Sequence, residues 1–270
     1  MNSIRYSIAA VVLCCAGAAT AGAQSIADQV GRAPDGTVRM SYVARPGVCG
    51  DGGGMIRTGR STMHRSGHNV STSSGDDDDD VSNCPCDGGP VRVALRVRDH
   101  HVVTVRTYVG GQWKANGPVV DLGTVRPTAA VDYLLGLASR ADGEAGRDAI
   151  FPATIADSVD VWPRLLTLAR NENVAHETRR QAVFWVSQAA GEAATRGLDE
   201  LAGDSSGDMD VREQAVFALS QRPKDEGVPA LIRIAKTNKA PELRRKALFW
   251  LGQSEDPRAL TLFEDLLTKE

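Results

Sequence analysis

His64, His68, Cys84 and Cys86 lie close together in the first third of the chain. These are the side-chain types that hold zinc, and histidines four apart share one face of a helix. The stretch around them, RSTMHRSGHNVSTSSG, is a poor helix with Gly67 between the two histidines. Cys84-Pro85-Cys86 also lacks the two-residue gap of a zinc knuckle. No metal site is expected. Such a pair can exchange disulfides, but a third cysteine, Cys49, lies upstream. The expected use is a structural bridge from Cys49 to Cys84 or Cys86. It would close a loop of roughly 35 residues and stabilise by about 3–4 kcal/mol in the chain-entropy account.

Other candidate chemistry fails on geometry. Asp76–Asp80 is an unbroken aspartate run, whereas a calcium loop needs alternating oxygen ligands and a fixed glycine. It reads as a solvated acidic loop. Gly50, Gly52, Gly53 and Gly54 form a glycine-rich stretch, but phosphate loops lead into a helix and Met55-Ile56-Arg57 reads as a strand. His100-His101 sits at a turn with no serine or cysteine spaced to make a nucleophile–base pair. Asp199, Glu200 and Glu213 are the carboxylates a cleft would need for acid–base work, and their spacing does not set them apart from surface residues. No catalytic residue, no cofactor and no nucleotide loop is expected.

The elements that would position a site follow from composition and pattern. The chain has 270 residues, 42% hydrophobic and 24% charged, with a net charge of −3. Those are globular values, and the charge counts against a nucleic-acid partner, which usually meets a basic domain. Residues 1–23 read as a signal peptide: Arg5, then the apolar Ile8–Ala19, then Ala21-Gly22-Ala23 before a start at Gln24. Val12-Leu13 before Cys14-Cys15 lack the small residue of a lipoprotein site. The expectation is export to a bacterial periplasm or the outside, with no integral membrane segment after cleavage.

Residues 24–121 read as a small β-rich domain. Val38, Met40 and Tyr42 share one face of a strand. Val91–Val97 and His101–Gly110 form a hairpin, with Val91, Val93, Leu95 and Val97 on one face and Arg92, Ala94 and Arg96 on the other. About four antiparallel strands need a cover on the apolar face. Residues 60–83, polar and acidic, are expected to be a disordered insert.

Residues 122–270 repeat themselves. AVFWVSQ from Ala182, AVFALSQ from Ala215 and ALFWLGQ from Ala247 recur at intervals of 33 and 32 residues, with a weaker AIFPATI from Ala149. Each is followed by a second apolar segment, which is the pattern of an α-solenoid. Pro127 opens a cap helix over TAAVDYLLGLAS. Ala182, Trp185 and Val186, with their counterparts in each copy, form the buried stripe, and Trp185 and Trp250 fill the space between helices.

Val211-Arg212, Ala215, Ala218 and Leu219 match the pattern V-R-x-x-A-x-x-A-L-G, as do Leu243-Arg244, Ala247 and Leu251-Gly252. Asp256-Pro257 with Ala259-Leu260 matches D-P-x-A-L. The region Gly146–Glu270 thus resembles tandem HEAT repeats of the phycobilin-lyase-like subtype. The resemblance implies a C-terminal α-solenoid of about four HEAT-like helix pairs; with the small antiparallel β-domain read from strand alternation before it, the chain is expected to be α+β overall. It also implies a structural ladder in which Arg179, Arg212 and Arg244 meet acidic side chains between repeats. Phe151, Phe184, Phe217 and Phe249 occupy one repeat position, opposite the buried stripe, and make the candidate partner-binding ridge. The alternative is that the rings lie between repeats. The expected function is a non-catalytic, exported scaffold for protein–protein interaction; the alternative is a lyase-like or other enzyme built on the same scaffold.

Overall fold

The computed structural model describes residues 25–58, 61–66, 69–74, 86–113, 117–141, 143–189 and 191–268. The leader at 1–23, His68, Asp76–Asp80 and Cys84 lie outside them. A short helix, α1 (Ile26–Gly31), precedes β1 (Gly36–Tyr42), β2 (Val48–Gly50), β3 (Met55–Thr58), β4 (Ser61–Ser66), β5 (Asn69–Ser74), β6 (Val91–Arg98), β7 (His101–Val109) and β8 (Val119–Thr124). They make two four-stranded sheets, ordered β7-β6-β1-β8 and β2-β3-β4-β5.

The first sheet is antiparallel across β7, β6 and β1, and adds β8 as a parallel edge. The hairpin turn is Asp99-His100, both with positive φ (50° and 61°), the backbone of a type I′ turn. No tight turn joins β1 to β8, so nothing forces them to be antiparallel. In the second sheet β4 and β5 pair from Ser61↔Ser74 to Ser66↔Asn69. The stretch expected as a disordered insert therefore contributes two strands. Low apolar content argues against burial, but serine and threonine still pair their backbones in a ladder.

The apolar face of the first sheet is buried throughout: Val38, Met40, Tyr42, Val93, Leu95 and Val105 join one core that continues into the helices. The Tyr42 hydroxyl donates to the Pro152 carbonyl at 2.7 Å, and burial pushes its phenol well above the usual value. Just after β1, Ala44 bridges Ala156. Sheet and helices are thus joined by backbone pairing as well as packing.

The helical half comprises α2 (Pro127–Arg140), α3 (Glu144–Asp148), α4 (Ile150–Thr154), α5 (Trp162–Arg170), α6 (His176–Ser187), α7 (Glu192–Gly203), α8 (Met209–Ser220), α9 (Lys224–Thr237), α10 (Pro241–Gly252) and α11 (Pro257–Thr268). The weak first copy of the repeat is broken into α3 and α4. Pro152 supplies no N–H to the carbonyl four residues back and its ring crowds it; that residue is Asp148, where α3 ends. Beyond it, α6, α8 and α10 pack in one row and α5, α7 and α9 in another. In α9, Gly227 lies so close to α8 that a Cβ would overlap the Leu219 carbonyl oxygen.

Arg222, in the turn after α8, staples neighbouring repeats. Its guanidinium donates to the carbonyls of Ser187 and Gly191 at 3.0 Å each, and to that of Ala189. It also donates to the Thr195 hydroxyl and the Glu226 carboxylate at 2.8 Å each. The Ser187 and Ala189 carbonyls lie at the end of α6, where a helix leaves its carbonyls unpaired; that of Gly191 opens α7 and also accepts from the Ala194 N–H. Among the described residues, no helix is long and apolar enough to cross a membrane.

Candidate functional site

The aligned phenylalanines do not form an exposed row. Phe151 is buried and stacks on Trp185 of the next repeat, ring centroids 5.0 Å apart. Phe217 meets Trp250 of its next repeat at the same 5.0 Å. Phe184 is half-buried with its edge on Trp185. Only Phe249 is open, at 57% exposure. Phe151 and Phe217 lie between repeats because a tryptophan at the following copy's buried stripe reaches each of them, and apolar area is buried there.

The arginine ladder is complete at one rung. Arg179 donates to the Asp208 carboxylate at 3.0 Å. Asp208 also caps α8 by accepting from the backbone N–H of Asp210 and Val211. Burial pushes its carboxyl up, but these hydrogen bonds and the Arg179 charge outweigh it and hold the carboxyl below its usual value. The N-cap of α10 is Ala240, so Arg212 finds no carboxylate there and donates to the Ala202 carbonyl instead, at 3.2 Å. Arg244 donates to the carbonyls of Asn238 and Lys239. All three arginines tie helix ends, and two of them do so without an acid.

The candidate carboxylates do not converge. Asp199 pairs with Arg233 at 2.6 Å, Glu200 with Arg170 at 3.6 Å, and Glu213 with Lys246. Each is neutralised by a base on a neighbouring repeat. Cys49 bonds Cys86, with Cα atoms 5.3 Å apart and a sequence separation of 37. It anchors β2 beside the Gly50–Asp87 bridge that leads into β6.

A site emerges instead on the outer face of the first sheet. Strand alternation sends Arg39, Arg92, Arg96, Arg98 and Arg106 outward, and the pairing of β1, β6 and β7 gathers them. Ala94 lies opposite Arg39 on β1 and Arg106 on β7. A methyl between long side chains leaves a depression, and an open groove of about 680 Å³ lies there. Trp113, from the loop after β7, is bracketed by the guanidinia of Arg39 at 5.2 Å and Arg92 at 4.9 Å from its ring centre. Arg92 also lies 5.4 Å from Tyr108. Cation–π contacts of this kind hold a guanidinium while leaving its edge donors free.

Arg92 is the deepest of the set. It is 4% exposed; one end donates to the Gly52 carbonyl at 2.9 Å, and its buried Nε has no partner among the described residues. Burial lowers its guanidinium from the ordinary value, but an arginine still stays charged at neutral pH. At the groove edge Arg39 already holds a carboxylate: its Nε and terminal nitrogen each lie 2.8 Å from Asp121 Oδ2. Burial raises the Asp121 carboxyl, and the Arg39 hydrogen bond and charge bring it below the usual value.

The sequence carries a signal for this groove. The polar face of VRVALRVR has arginine at alternate places and no acid. Net charge hid it, because five clustered arginines vanish in a total of −3. The adjacency of β1 to β6 was also needed, and no turn between them announces it.

No curated protein matches the chain. Residues 198–270 match the family model for HEAT repeats. With the helices already stacked in two rows, the C-terminal part of the chain is a HEAT-like repeat region, of the kind that commonly forms protein-interaction scaffolds.

Proposed function

We propose that the protein is an exported, non-catalytic scaffold that holds another protein, with the repeat array as its frame and the arginine groove as its recognition surface. The observation that carries the reading is the groove itself. Like charges gathered around one alanine repel one another and are costly without a ligand, while arginine and aromatic side chains are the residue types that dominate protein interfaces. The array supplies a rigid mount for that surface.

A photo-crosslinking residue placed at Val103, which is 40% exposed in the groove, tests the reading in the source cells. A discrete protein adduct at Val103, and none at Arg164 on α5, is the expected result. Absence of protein adducts at both positions would sink it. Export is tested by the mass of the accumulated protein, which should correspond to a chain starting at Gln24.

A further inference from the structure

The geometry points to the chemistry of the partner: we infer that the groove binds an extended acidic segment, a run of peptide carrying carboxylates on one face. This rests on the scaffold reading and goes further by naming what the groove takes. Three rows of guanidinia cross the sheet. Arg92 lies in the first, Arg39 and Arg106 flank Ala94 in the second, and Arg96 lies in the third. Rows two residues apart along a strand are roughly 7 Å apart. Every second side chain of an extended peptide repeats at that same spacing of roughly 7 Å. Carboxylates at alternate positions therefore come into register with the rows, one after another.

The side chains favour carboxylate over other anions. All five cations among the described lining residues are arginine, whose planar fork matches a carboxylate with two donors. At the groove edge Arg39 already grips one carboxylate, that of Asp121, with two donors on Oδ2 while Oδ1 accepts from the Gly123 N–H. Among the described residues the buried Nε of Arg92 meets no acceptor; buried donors are normally satisfied. Nucleic acid is disfavoured by the same contacts. Trp113 and Tyr108 are engaged by guanidinia, whereas single strands are held by aromatic rings free to stack on bases.

The probe is a fluorescein-labelled heptapeptide of alternating aspartate and serine, read by fluorescence polarisation against the full mature chain. Binding that weakens with added salt is expected. Arg96→Ser with Arg106→Ser, both exposed positions, should lower affinity by about tenfold or more. Arg180→Ser with Arg196→Ser on the helices should leave it unchanged. An absence of peptide binding, or equal binding by the Arg96/Arg106 variant with native circular dichroism, overturns the inference. So does tighter binding of an oligothymidylate of equal charge. Binding that appears only after Asp76–Asp80 is replaced by serine also overturns it, because the occupant is then the chain's own segment. If the peptide fails while Val103 still forms a protein adduct, the carboxylate chemistry falls and the scaffold reading stands.

Discussion

Replacing Arg222 with methionine removes a charge from the centre of the repeat array while keeping most of the side-chain volume. The Arg222 side chain is 4% exposed. Its loss strands the Glu226 carboxylate and leaves the carbonyls of Ser187, Ala189 and Gly191 without the donor that ties them. Breaking one side of a buried, hydrogen-bonded ion pair costs about 3–5 kcal/mol. For a chain of this size each kcal/mol moves the melting temperature by about 2–4 °C, so a fall of roughly 6–20 °C is expected. Thermal unfolding followed by circular dichroism measures it. Arg180→Met, on an exposed arginine, is the control and should stay within about 0.5 kcal/mol of wild type. A pH series adds a second readout. The hydrogen bond from Thr195, then that from Arg222, hold the Glu226 carboxyl below its ordinary 4.5. A depressed carboxyl stabilises the fold above that ordinary value, and the contribution is lost as pH falls through the folded one. The gap between wild type and Arg222→Met should therefore narrow in acid. A melting-temperature fall under about 3 °C, or a gap that widens in acid, would refute the staple.

Four further outcomes follow from the same structure. His100→Gly should stabilise by about 1 kcal/mol in urea unfolding, because glycine adopts the positive φ of 61° without strain; a destabilised variant would count against the type I′ turn. Gly227→Ala should destabilise despite alanine's better helix propensity of about 1 kcal/mol, since its Cβ would overlap the Leu219 carbonyl; a higher melting temperature would contradict that packing. Reduction of Cys49–Cys86 should lower stability by about 3–4 kcal/mol, seen as a lower unfolding midpoint with dithiothreitol; an unchanged midpoint would show that the bridge constrains nothing. Asp256 is held down to about 2, first by hydrogen bonds from the Arg258 side chain; its stabilisation is present above its ordinary 3.8 and is lost as pH falls toward 2. Asp256→Asn should flatten the stability curve in that acid window, and an unaltered curve would dismiss the pair.

The helical half was legible because its signal is local and recurrent. Ala182, Ala215 and Ala247 recur at helix–turn–helix spacing, and each falls at zero exposure on its own helix. The phase of Phe184 was not legible from one helix, since the ring's neighbour, Trp185, and its counterpart Trp250 reach across repeats. The arginine ladder was legible as position and not as partner: what Arg212 meets depends on whether the following N-cap is Asp208 or Ala240, a fact of tertiary stacking. In the sheet, alternation gave the faces of β6 and β7, but nothing local says that β1 lies beside β6, and the groove exists only through that adjacency. The strands β4 and β5 escaped a reading based on hydropathy because their pairing is made by backbone groups, which every residue type but proline carries.

The pairing of Ala44 with Ala156 and the Tyr42–Pro152 hydrogen bond have a mechanical meaning. They make a weld in place of a hinge, so anything held at the outer face of the first sheet would keep its position relative to the stacked rods. Anything that also touches those rods is measured against a fixed ruler: a second anchor at the matching separation gains the full advantage of tethering, and one at any other separation gains none.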